Sequence, residues 1–203
     1  MTINNITIRN GSGDGGGIRN FGTLTMTNCT VSGNSVGDGG GIFNSGTLTM
    51  TNCTVSGNSA PNFGGGIANE GTLTMISCTV SGNSAFASPG RGGGIFNSGT
   101  LTMTNCTVSG NSANGPSGGG IFNSGSGTLT MTNCTVSGNS TLGFGGGIRN
   151  EGTLTMTNCT VSGNSAGNGT GGGGILNSGT LTMTKCTVSG NSAPGIDGLG
   201  GGI

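Results

Sequence analysis

One segment, Gly40-Gly41-Ile42-Phe43-Asn44-Ser45-Gly46-Thr47-Leu48-Thr49-Met50-Thr51-Asn52-Cys53-Thr54-Val55-Ser56-Gly57-Asn58-Ser59, recurs along the whole chain. Its isoleucine returns at Ile18, Ile42, Ile67, Ile95, Ile121, Ile148, Ile175 and Ile203, and its cysteine at Cys29, Cys53, Cys78, Cys106, Cys134, Cys159 and Cys186. Six of the seven Ile-to-Cys separations are 11 residues; the other is 13, because Ser126-Gly127 is inserted beside Gly125. The Cys-to-next-Ile separation drifts between 13 and 17. Each repeat thus has a fixed part, which makes a scaffold, and one elastic loop, where insertions collect. Pro61, Pro89, Pro116 and Pro194 all fall in that loop, as expected of a residue that cannot donate to a backbone ladder.

The fixed part reads as three short strands. Thr47 to Thr51 alternates Thr-Leu-Thr-Met-Thr, the period-2 pattern of a half-buried strand with Leu48 and Met50 inward and the threonines outward. Cys53-Thr54-Val55-Ser56 alternates again, with Cys53 and Val55 inward, and Gly40-Gly41-Ile42-Phe43 supplies the third strand, with Ile42 inward. The position after the isoleucine holds Arg19, Phe43, Ala68, Phe96, Phe122, Arg149 and Leu176, a mixture that suggests solvent. Each strand ends at an asparagine (Asn44, Asn52, Asn58). Asparagine tolerates the left-handed bend a corner needs, and its amide can pair with the copy above. Interior glycine and β-branched threonine argue against helical hairpins. The expectation is an all-β chain: one parallel β-helix domain over residues 1–203, with seven full repeats, a partial coil at each end and about eight coils.

A single coil cannot stand alone. Its large core side chains contribute roughly 1.5–3 kcal/mol each, whereas ordering each of its residues costs about 1–2 kcal/mol. Stability must come from stacking, and eight coils about 4.8 Å apart make a rod of roughly 38 Å. Thr2-Ile3-Asn4-Asn5-Ile6-Thr7-Ile8 aligns with Thr25-Met26-Thr27-Asn28-Cys29-Thr30-Val31, so the chain starts in mid-coil, and Gly202-Ile203 opens a new one. Two readings follow: a piece of a longer solenoid, or copies stacking end to end into a fibre through open strand edges.

The pair Gly39-Gly40-Gly41-Ile42 and Val55-Ser56-Gly57-Asn58 resembles the repeats of bacterial surface β-helix proteins, the polymorphic outer-membrane proteins of chlamydiae being the best-known group. There the motifs read Gly-Gly-Ala-Ile and Phe-x-x-Asn. Glycine replaces the alanine and valine the phenylalanine here, so the resemblance is to the broader right-handed parallel β-helix class. It implies an extracellular or cell-surface stalk or adhesive passenger.

Composition narrows the chemistry. Charged residues are 5% of the chain, the formal net charge is zero and His, Trp and Tyr are absent. That leaves no electrostatic footprint for nucleic acid or an anionic membrane, and no histidine base. No run of about 18 apolar residues is present to span a bilayer, and Met1 to Asn10 carries no secretory pattern. One cysteine per coil and an odd total fit buried core fillers better than disulfides or a zinc ladder. Asp14 and Asp38 both stand four residues before their isoleucine; a shared calcium ion or separate solvated loops would each satisfy them. Asp14, Asp38, Glu70, Glu151 and Asp197 are scattered over different coils, whereas glycosidases flank one bond with two carboxylates. The expectation is a non-catalytic protein with no cofactor and no metal.

The surface candidate is the first strand. Its outward positions hold Thr in 20 of 21 places over seven coils, the exception being Ile76. The central members are Thr47, Thr49, Thr51, Thr100, Thr102, Thr104, Thr128, Thr130, Thr132, Thr153, Thr155 and Thr157. Stacked, they form a grid spaced about 6.7 Å along the strand and 4.8 Å between coils. This face resembles the Thr-x-Thr face of insect-type antifreeze solenoids, which implies ice as an alternative partner. The leading expectation is a structural or adhesive rod whose partner is itself or an unidentified surface ligand, engaged at the variable edge of Phe43, Phe96, Phe122, the arginines and the loops.

Overall fold

The computed structural model describes all residues except 13–15, 36, 89, 116, 168–170, 195–200 and 203. The chain winds into a parallel solenoid in which each strand pairs with its own equivalent one coil away. The Thr-Leu-Thr-Met-Thr strands form an eight-stranded sheet that begins with Thr2–Asn4 and ends with Thr180–Thr184. The Thr-Val-Ser strands form a second eight-stranded sheet, from Thr7–Arg9 to Thr187–Ser189. The isoleucine strands form a seven-stranded sheet, from Ile18–Asn20 to Ile175–Asn177. The first partial coil sits where its alignment placed it, with Thr2 against Thr25 and Ile8 against Val31. Register holds through every step, so Leu73 lies between Leu48 and Leu101, and Met75 between Met50 and Met103.

The core is the inward set expected from alternation. Ile42, Leu48, Met50 and Val55 are fully buried and Cys53 is 1% exposed, as are their equivalents in the central coils. Identical side chains stack on one another, so a residue that packs well against its own copy packs well everywhere. The elastic loop enters the isoleucine strand through three glycines. At the turn, Gly64 has φ +59°, and a Cβ on the next residue, Gly65, would run into the carbonyls of Ser84 and Gly93 in the following coil. Coil-to-coil backbone contact excludes a side chain there.

The structure departs from the sequence expectations in three ways. A fourth, five-stranded sheet is made of two-residue strands, Ser59–Ala60 to Ser165–Ala166; two residues are too few to display a period. The three asparagines of a coil are not equivalent. Only the Asn52 type is left-handed, with φ 53°, and it is exposed. The left-handed residue at the third bend is Gly57, φ 61°, and Asn44 and Asn58 are buried. Lastly, the position after the isoleucine is not solvent-facing throughout. Arg19 is exposed, but Phe122 and Ala68 are buried, because the elastic loop folds back over this face.

Candidate functional site

Two buried asparagine columns hold the corners. A primary amide has two donors and an acceptor, so it can chain to its own copy. Asn44 Nδ2 donates to Asn69 Oδ1 at 2.7 Å and Asn69 Nδ2 to Asn97 Oδ1 at 2.8 Å, and this series runs from Asn20 to Asn177. In the second column Asn83 Nδ2 donates to Asn111 Oδ1 at 2.9 Å and Asn111 Nδ2 to Asn139 Oδ1 at 2.9 Å. Backbone groups join it: Asn83 N–H also donates to Asn111 Oδ1, and Asn111 Nδ2 also donates to Val80 O.

The cysteines form a third column. Cys78 N–H donates to Cys106 Sγ and Cys106 N–H to Cys134 Sγ, each at 3.4 Å. All seven thiols are free, and six are buried. The Cys78 and Cys134 thiols donate to the carbonyls of Ile76 and Thr132 at 3.3 and 3.2 Å, and the neighbouring sulfur of Cys106, with burial, pushes both thiols well above the usual range.

All twelve central threonines lie on the outer face of the first sheet, in register. The first threonine of each strand is exposed, and the other two are half-buried between neighbouring coils in Thr23–Thr157. Ile76, 40% exposed, interrupts the outermost rank beside Thr51 and Thr104. The adjoining Thr-Val-Ser sheet presents Thr54 and Ser56 and their equivalents outward. The ridge between the two sheets is the exposed row Asn28, Asn52, Ser77, Asn105, Asn133, Asn158 and Lys185, all left-handed. Two adjoining faces are therefore hydroxyl-rich and nearly free of charge.

Another edge carries most of the arginines and aromatics. Asp38, Phe63, Arg91, Ser117 and Phe144 pair in sequence through parallel bridges, one per coil. Their side chains lie beside the column Phe43, Ala68, Phe96, Phe122 and Arg149. Phe63 meets Phe96 at 4.8 Å and Phe96 stacks on Phe122 at 5.6 Å between ring centroids. The Arg91 and Arg149 guanidiniums lie 5.4 and 5.8 Å from the Phe122 centroid. Arg149 also binds Glu151 at 2.6 Å and Ser117 Oγ at 3.1 Å. Sequence reading placed Phe43, Phe96, Phe122, the arginines and the loops on this edge. Phe63, Ser117 and Phe144 were not named there, although each directly precedes a Gly-Gly-Gly triplet.

Asp14 falls outside the described residues, so its relation to Asp38 is not described. Glu70 and Glu151 occupy equivalent turns three coils apart, about 14 Å at the coil spacing. Among the described residues no group of three or more His, Cys, Asp or Glu is placed to hold a metal ion. Among the described residues no helix is long and apolar enough to cross a membrane. A cavity of about 240 Å³ opens at the first coil among Met1, Ile3, Ile8, Ile18 and Leu24; it is the core column seen end-on.

Fold and ladders together define a β-helix repeat protein. The family model described as right handed beta helix region matches residues 1–153 and again 95–202, and the chain belongs to that family. No curated protein and no solved structure matches it.

Proposed function

We propose that the chain is a non-catalytic structural or adhesive rod of the extracellular space or cell surface. The observation that carries this reading is the division of the coil: every ladder position repeats in register, while three of the four arginines, five of the seven phenylalanines and most length changes collect along one edge. A rod displays a variable strip on a constant scaffold, and the motif resemblance to bacterial surface repeats supports the location. The described carboxylates support the non-catalytic part. Glu70 and Glu151 stand farther apart than the roughly 5–9.5 Å at which paired carboxylates cleave glycosides. Fibre formation by stacking belongs to the same reading, since every contact between coils inside the chain repeats one register that a second copy could continue.

Protease shaving of intact source cells, followed by immunoblotting, tests the location; a chain protected until lysis would refute it. Sedimentation at high concentration tests stacking, and a monomer throughout would refute that part.

One observation favours ice as a second reading: the in-register threonine grid lacks charge over seven coils. β-Branched side chains hold their methyl and hydroxyl groups in few rotamers. The parent should then show thermal hysteresis, and a Thr102→Lys, Thr130→Lys double variant should lose it while remaining folded. Absence of the effect in the parent would leave the threonines as a strand-forming surface.

A further inference from the structure

The exposed ridge has a property that the rod and ice readings do not use. Its asparagines begin the triplets Asn5-Ile6-Thr7, Asn28-Cys29-Thr30, Asn52-Cys53-Thr54, Asn105-Cys106-Thr107, Asn133-Cys134-Thr135 and Asn158-Cys159-Thr160. Each has the Asn-x-Thr form of an asparagine-linked glycosylation acceptor. We propose that this ridge is a ladder of N-glycosylation sites, an inference that rests on the extracellular reading above.

Three features of the structure support it. All six asparagines are exposed and left-handed, with φ between 53° and 56°, so the side chain leaves a tight corner. The triplet threonine that follows lies on an outward face, as with Thr54 beside buried Val55. And the amide nitrogens of Asn5, Asn52 and Asn105 donate no hydrogen bond among the described residues, whereas Asn28, Asn133 and Asn158 donate to Asn5, Asn105 and Asn133 at 3.2, 3.2 and 3.3 Å.

Spacing sets the pattern. Adjacent ridge positions are about 4.8 Å apart, too close for two oligosaccharides side by side. Positions on every second coil are Asn5, Asn52, Asn105 and Asn158, and all four carry the triplet. The intervening set is broken by Ser77 and Lys185. Alternate occupancy is therefore complete in one phase only. The chemistry is a group transfer from a polyprenyl-pyrophosphate oligosaccharide. Asn Nδ2 forms a C–N bond to the anomeric carbon, the anomeric C–O bond to pyrophosphate breaks, Nδ2 releases one proton and the lipid pyrophosphate departs. The gain for this rod is solubility. A neutral chain with 5% charge has little electrostatic protection against association, and surface glycans supply it.

The fold contains its own control. Asn139-Ser140-Thr141 is also an acceptor triplet, but Asn139 is 1% exposed and its Nδ2 is committed to Asn164 Oδ1 and Val108 O. A sugar there would break the buried column.

The test is peptide mass mapping of the chain isolated from its source cells, before and after an amidase that releases N-glycans and leaves aspartate. The expected result is conversion at Asn52 and Asn105, little at Asn28 and Asn133, and none at Asn139. Thr54→Val and Thr107→Val, which keep the turn asparagine and a β-branched strand residue, should abolish conversion at Asn52 and Asn105. An unmodified chain recovered from the cell surface or medium would overturn this inference alone. An unmodified chain confined to the cell interior would overturn it together with the extracellular reading. Conversion at Asn139 equal to that at Asn52 would overturn the structural basis.

Discussion

Replacing Asn111 by alanine isolates what the buried amide columns contribute. Asn111 is fully buried. Its Oδ1 accepts from the backbone N–H and the Nδ2 of Asn83, both at 2.9 Å, and its own Nδ2 donates to Asn139 Oδ1 and Val80 O. Alanine removes all four bonds. The buried Asn83 N–H loses the acceptor it uses in the column, and Val80 O loses a donor. Each buried polar group left unmet costs about 1–3 kcal/mol, and the remaining lost bonds about 1 kcal/mol each. The expected destabilisation is about 4–6 kcal/mol. Asn105, on the same coil, is the comparison: it is exposed and left-handed, and Asn105→Ala should cost only about 1–2 kcal/mol of backbone strain. Denaturant unfolding gives the totals. Hydrogen exchange locates them, with protection falling around Asn83, Asn111 and Asn139 and persisting in distant coils, because repeats couple to nearest neighbours. A cost for Asn111→Ala below about 1 kcal/mol, or equal to that of Asn105→Ala, would refute the argument that the column rather than corner geometry stabilises the stack.

Three further substitutions and treatments probe other links. Phe122→Ala removes a fully buried ring between Phe96 and two guanidiniums and should cost about 3–5 kcal/mol in thermal or denaturant unfolding; a solvent-facing ring would cost almost nothing. Thiol labelling at neutral pH should leave the six buried cysteines unmodified until denaturant is added, and labelling of the folded rod at Cys106 would contradict the column. Ile76→Thr completes the outermost threonine rank; it should change stability by less than about 0.5 kcal/mol and increase thermal hysteresis if the face binds ice.

The threonine sheet and the core were legible because their signal is local and repeated. Leu48 and Met50 alternate with threonine in one five-residue strand, and every copy says the same. The fourth sheet was not legible, because Ser59–Ala60 is too short to show a period and forms only against its copies above and below. Phe122 could not be placed by its own sequence either. Its burial depends on Ser117 in the loop column, on Phe96 one coil back and on Arg149 one coil on. The asparagines illustrate a different limit. Asn44, Asn52 and Asn58 are chemically identical, and only backbone conformation decides which amide points into the stack and which points out.

Stacking also explains where charge is permitted. In a solenoid each side chain faces its own equivalent about 4.8 Å away, so a position tolerates only residues compatible with copies of themselves. Amides, hydroxyls, thiols and alkyl groups pass that test, and like charges fail it. The turn after the isoleucine strand shows the rule, since the residues in register there are Ser45, Glu70, Ser98, Ser124, Glu151 and Ser178. Each glutamate has serine on both sides. Ser98→Glu would set a second carboxylate directly beside Glu70, which is exposed. Two unit charges at that distance in water repel by about 1 kcal/mol. Ser98→Lys would instead attract by a similar amount. The unfolding free energies of the two variants should therefore differ by about 2 kcal/mol at low ionic strength and converge toward 1 M salt, where the screening length falls to about 3 Å. Two variants of equal stability at low salt would show that neighbouring coils do not present this turn in register.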